Sequence, residues 1–126
     1  MLLLTSCQTI EGQDIFEEGV AFAIFDANKK LQIGETSPEK TTYLYAQKVS
    51  GFSNRGGNIY PEVTIEVPEI NSNRRFLSTV IKTPSDSLDA LTLPIGVLGP
   101  GTFTVKVTFL DKYTNFRKTI TRTLTI

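Results

Sequence analysis

The stretch from Thr102 to Phe109 constrains this chain more than any other. Phe103, Val105, Val107 and Phe109 alternate strictly with Thr102, Thr104, Lys106 and Thr108. That period of two is the pattern of a strand with one buried face. A slip of one residue would turn all four apolar side chains to water, so the register is specified along with the conformation.

Shorter pieces of the chain repeat the pattern. Val20, Phe22 and Ile24 fall on one face of a segment, with Ala21, Ala23 and Phe25 on the other. Leu31 and Ile33 predict a short return strand. In Thr42–Val49, Tyr43 and Tyr45 alternate with Leu44 and Ala46. Ile59, Val63, Ile65 and Val67 face inward, with Thr64 and Glu66 outward. Arg75–Lys82 predicts another strand, Leu88–Ile95 is apolar enough to be buried, and Phe116–Ile126 closes the chain. In that last segment Phe116, Ile120, Leu124 and Ile126 share a face with Lys118 and Arg122, which predicts an edge position or a bulge.

Turn chemistry separates these pieces, at Asp26-Ala27-Asn28-Lys29, Ser37-Pro38, Gly51–Asn58, Pro68, Pro84–Ser87 and Asp111–Asn115. Thr, Val and Ile make up 36 of the 126 residues, a β-branched bias, and no segment has helical periodicity. The expected fold is all-β, a two-sheet antiparallel sandwich of about seven or eight strands. At 126 residues the chain has room for one such domain.

Composition removes several chemistries. There is no His, so a Ser–His or Cys–His nucleophile pair, an imidazole base and a His-ligated metal are all excluded. A single Cys allows neither an internal disulfide nor a thiolate zinc cage. Thirteen Lys and Arg balance thirteen Asp and Glu, so no overall basic field exists to hold nucleic acid or an anionic membrane. No catalytic residue, metal site or cofactor is expected.

The remaining polar clusters read as surface. Glu62 and Glu66 fall on one face of a strand about 13 Å apart, wider than either carboxylate spacing used by glycosidases. Asp26-Ala27-Asn28 begins like a calcium loop, but Lys29-Lys30 follows where the cation would sit, so a turn is expected. Asn54-Arg55-Gly56-Gly57-Asn58 offers backbone amides to an anion or a sugar without the Gly-Lys-Ser/Thr of a phosphate loop. With Phe52 and Tyr60 beside it, this loop is the first choice for a binding surface: Phe52, Asn54, Arg55 and Tyr60. Tyr43, Tyr45 and Tyr60 could together give carbohydrate an aromatic platform, because Tyr pairs a flat apolar ring with a hydroxyl.

At the N-terminus, Leu4-Thr5-Ser6-Cys7 resembles the lipobox of bacterial lipoproteins. The resemblance implies that Met1–Cys7 is the end of a truncated lipoprotein signal and that Cys7 carries the lipid. It implies, too, that the chain sits on the bacterial envelope, anchored in the membrane through Cys7. Gln8 lacks the acid that goes with inner-membrane retention, which favours the outer membrane. Residues 8–18 then form a polar, acidic tether and residues 19–126 the domain.

The run Leu98-Gly99-Pro100-Gly101-Thr102-Phe103-Thr104-Val105-Lys106-Val107, with Asp111 ending the strand, resembles the last hairpin of bacterial immunoglobulin-like modules. It departs from them in carrying Phe103 where a Tyr is usual, and the Cys…Trp…Cys core of antibody domains is absent, so fibronectin type III and transthyretin-like sandwiches stand as alternative connectivities. Together these readings predict a lipid-anchored, non-catalytic binding or assembly module with a protein or glycan partner at the envelope. The alternative is a carbohydrate-binding or adhesive module using the tyrosines and the Asn54–Asn58 loop.

Overall fold

The computed structural model describes residues 20–126. Cys7, with its lipobox, and the 8–18 tether lie outside the described residues. Among the described residues the strands are β1 (Val20–Phe25), β2 (Leu31–Ile33), β3 (Thr41–Ala46), β4 (Asn58–Ile59), β5 (Pro61–Val67), β6 (Ser72–Ser78), β7 (Ile81–Lys82), β8 (Leu91–Val97), β9 (Thr102–Asp111) and β10 (Arg117–Thr125). A 3-10 turn, Pro68–Ile70, joins β5 to β6. No helix of the described residues is long and apolar enough to cross a membrane.

Two four-stranded antiparallel sheets form, in the orders β2-β1-β3-β8 and β10-β9-β5-β6, with β4 and β7 pairing as a small third sheet. Leu44, Ala46 and Ile95 of the first sheet meet Val63, Ile65, Val105, Val107, Phe109 and Ile120 of the second in one continuous core. The fold is therefore a two-sheet sandwich. Seven strands carry it, leaving aside the short β2, β4 and β7. In chain order the first, second and fifth lie in one sheet, and the third, fourth, sixth and seventh in the other. This is the immunoglobulin-like arrangement with one switch: the fourth strand pairs with the third instead of lying beside the fifth.

The alternating segments occupy the places their periods require. In β9 every inward residue from Phe103 to Phe109 is buried, and β10 pairs with it without interruption from Arg117↔Leu110 to Thr125↔Thr102. β10 is an edge strand and its ladder to β9 has no bulge, so Lys118 and Arg122 sit on an inward face at the rim of the sandwich. Inward-pointing charge on an edge discourages another chain from adding to it.

Four local expectations change. Arg75–Lys82 is not one strand: β6 starts at Ser72 and ends at Ser78, and the chain then crosses to pair β7 with β4. Leu88–Ile95 is not uniformly buried. β8 is the edge of its sheet, so Leu88 and Ile95 are covered while Leu91 and Leu93 are only half-buried. Phe116 precedes β10 and overhangs the sheet, 70 % exposed, instead of joining Ile120 and Leu124 inside. In β1, Ala23 and Ile24 are both buried. Ala23 is small and stands between its larger cross-strand neighbours Ile33 and Tyr43, which cover it from the outside.

Candidate functional site

The Asn54–Asn58 loop is built as a fixed turn. Arg55 N–H donates to the Asn58 carbonyl (2.8 Å), and Gly56 and Gly57 both take left-handed φ, 64° and 85°. Two consecutive positive φ values are what a type I′ turn demands, and glycine meets that demand without the strain a Cβ would add. Asn54 holds the turn to its neighbours. Its Nδ2 donates to the carbonyls of Thr83 (2.7 Å) and Ser85 (2.8 Å), while its Oδ1 accepts from Gly57 N–H (3.0 Å). Phe52 anchors the loop from beneath, buried in the core.

Asp111 ties this loop to the β9–β10 turn. Its carboxylate is buried and accepts two backbone bonds, from Ser53 N–H at Oδ2 (2.8 Å) and from Tyr113 N–H at Oδ1 (2.9 Å). A buried carboxylate is tolerated only when such donors replace its water. The last residue of the best-specified strand thus fixes both loops at this end of the sandwich.

An aromatic and basic cluster rests on that frame. Tyr60 and Tyr113 meet edge to face, centroids 5.7 Å apart. The Arg55 guanidinium lies 4.9 Å from the Tyr113 ring centroid and donates to the Tyr113 carbonyl (3.3 Å). Lys112 Nζ is 6.0 Å from the Tyr60 centroid and 3.8 Å from Glu62 Oε1, while Arg75 reaches the same oxygen from the other side at 3.6 Å. Glu62 is thus held between two cations. Arg55, Phe116 and Arg117 remain exposed around the Tyr113 turn. Such a surface can take a negative charge on its cations and apolar matter on its rings.

The structure brings Asn54, Arg55 and Tyr60 into this end, with Phe52 as their buried support. Tyr43 and Tyr45 are elsewhere. They lie on the outer face of β3 in the first sheet, where Tyr43 packs edge-on against Phe25 (4.9 Å) and Tyr45 Oη bonds Gln47 (2.9 Å). The three tyrosines do not share one platform. Asp111, Lys112 and Tyr113 complete the site and were not singled out from the sequence as binding residues. The available signal was the Asp at a strand end, which marks a turn, but its partner Ser53 comes from 58 residues away.

Two other carboxylates, Asp26 and Glu69, also serve the backbone. Asp26 Oδ1 accepts from Asn28 N–H (2.8 Å) and Lys30 N–H (2.9 Å), closing the β1–β2 turn. Glu69 Oε1 accepts from Thr104 N–H (2.9 Å) just past the last β5–β9 pair, and that bond holds the Glu69 carboxyl below its ordinary 4.5. Among the described residues, no group of three or more His, Cys, Asp or Glu is placed to hold a metal ion. Comparison with protein-family models, with curated proteins and with solved structures finds no match.

Proposed function

We propose that this chain is a non-catalytic binding or assembly module of the bacterial envelope, held there by lipid on Cys7, with the Arg55–Tyr113 end of the sandwich as its contact surface. The observation that carries the reading is how that end is built. Asp111 locks the Arg55 loop to the distant Tyr113 turn and Asn54 locks it to the β7–β8 connection, so the exposed Arg55 and the tyrosine pair stand on a rigid base. Pre-ordering of this kind reduces the entropy lost on binding. Loops on a rigid sandwich are where such folds place recognition. The lipobox-like Leu4-Thr5-Ser6-Cys7 supports the address, and a second or third acyl chain would make the attachment stable.

The test is the intact mass of the N-terminal peptide from protein expressed at its native locus, beside a Cys7→Ala version. The expected result is a chain that begins at an acylated Cys7 and leaves the membrane fraction when Cys7 is replaced. An unmodified Met1 in the soluble fraction overturns the anchored reading.

A further inference from the structure

The end of the sandwich that carries the basic and aromatic cluster is also the end from which the domain hangs. Val20, the first described residue, pairs with Ala46, and the 47–57 loop departs from that residue. That loop is bonded through Ser53 to Asp111 and so to the 112–116 turn. Twelve residues separate Cys7 from Val20. Even fully extended the link spans at most about 47 Å, and any less extended path brings this end closer to the lipid.

Charge along the chain is unevenly placed. Between residues 20 and 126 there are thirteen Lys and Arg against nine Asp and Glu, a net of +4, while Glu11, Asp14, Glu17 and Glu18 balance it outside the domain. At the anchored end Arg55, Lys112 and Arg117 are exposed. The acids there are Glu62, clamped between Arg75 and Lys112, the buried Asp111, and Asp86 and Asp89 on the β7–β8 connection. Phe116, 70 % exposed, projects between Asn115 and Arg117, with the half-buried Tyr60 and Tyr113 nearby. Basic residues around an exposed ring suit the interface of an anionic bilayer, where cations meet headgroups and aromatics enter the boundary.

We propose that this end docks on an anionic lipid surface through Arg55, Lys112, Arg117 and Phe116, fixing the orientation of the domain on the membrane to which Cys7 tethers it. The inference rests on the lipid-anchored reading for its setting, but docking itself needs no acyl chain. The four tether acids oppose it, so the test is sharpest at low salt, where attraction to the surface reaches furthest.

The experiment is co-sedimentation of the full chain carrying Cys7→Ala with vesicles of phosphatidylcholine, with and without phosphatidylglycerol, at low and high salt. Binding to the phosphatidylglycerol vesicles alone, released by salt, is expected. Arg55→Gln with Arg117→Gln weakens the partition by about fivefold per charge. Phe116→Ser weakens it severalfold. Lys30→Gln, in the β1–β2 turn at the opposite end, leaves it unchanged, and thermal melts confirm that each variant is folded. No binding to anionic vesicles, equal binding to neutral ones, or a Lys30→Gln loss matching that of Arg55→Gln overturns the proposal. Because the protein is unacylated, these outcomes are independent of the N-terminal mass, which alone decides whether Cys7 is lipidated.

Discussion

Asp111 is where the fold and the candidate site depend on one side chain. Its carboxylate is 4 % exposed and holds two amides, Ser53 at 2.8 Å and Tyr113 at 2.9 Å. A hydrogen bond to a charged group contributes about 1.5–3 kcal/mol net, and a buried donor left unpaired costs a similar amount. Asp111→Ala removes both bonds and admits some water in exchange, so a loss of about 3 kcal/mol is expected. For a domain of this size, at roughly 4 °C per kcal/mol, the melting temperature falls by about 12 °C. Asp111→Asn keeps one acceptor but turns an NH2 towards one of the two amides, and should lose about half as much.

Calorimetry measures the size of the effect and amide hydrogen exchange its place. Protection at Ser53 and Tyr113 should collapse while Val105 and Val107, deep in β9, keep theirs relative to the new global stability. An Asp111→Ala protein melting within about 2 °C of the parent, with Ser53 still protected, would refute the argument that this carboxylate clamps the two loops.

Three further changes probe the chain elsewhere. Thr42 is fully buried on the inner face of β3 and its hydroxyl has no hydrogen-bond partner among the described residues. Thr42→Val should therefore stabilise by about 1 kcal/mol in urea unfolding, within the penalty range for an unpaired buried group. Gly57→Ala forces a Cβ into φ +85° with open space around it, so the loss of about 1–2 kcal/mol is backbone strain alone, and Gly57→Asn should recover part of it. For Glu69 the folded value lies below the unfolded one, so its contribution is present above the unfolded pKa and is lost as pH falls through the folded pKa. Glu69→Gln should lower the neutral plateau of the stability–pH curve slightly and leave the stability at low pH unchanged, so that the acid limb flattens.

Much of the fold is legible in the sequence because alternation is a local property. Phe103–Phe109 and Ile59–Val67 declare their buried faces residue by residue, and every one of those inward positions is buried in the structure. What fails is at the rims. Leu91, Leu93 and Phe116 are as apolar as the core, but the strand or turn that carries each has a neighbour missing on one side. Periodicity gives the face of a side chain and not the number of strands beside it. The split of Arg75–Lys82 has a similar cause. Leu77 stands against Val63 and Arg75 against Thr64, so Phe76 is an extra residue at a bulge, which breaks the period that a continuous strand would show.

The site was half legible for a related reason. Asn54, Arg55, Gly56 and Gly57 announce a tight turn, and a turn is chemistry written in consecutive residues. What makes that turn a rigid surface is written at Asp111 and Thr83, and only the crossing of the chain between sheets brings them together. Charge follows the same logic. A net of zero over the whole chain suggests no field at all, yet residues 20–126 hold all thirteen cations and only nine of the acids. Electrostatics acts over distances near the Debye length, about 8 Å at physiological salt, so the relevant sum is taken over one end of the sandwich. There the six exposed cations Lys48, Arg55, Arg75, Lys82, Lys112 and Arg117 outnumber the four acids Glu62, Asp86, Asp89 and Asp111, and the Tyr60–Tyr113 pair decides what else such a surface can hold.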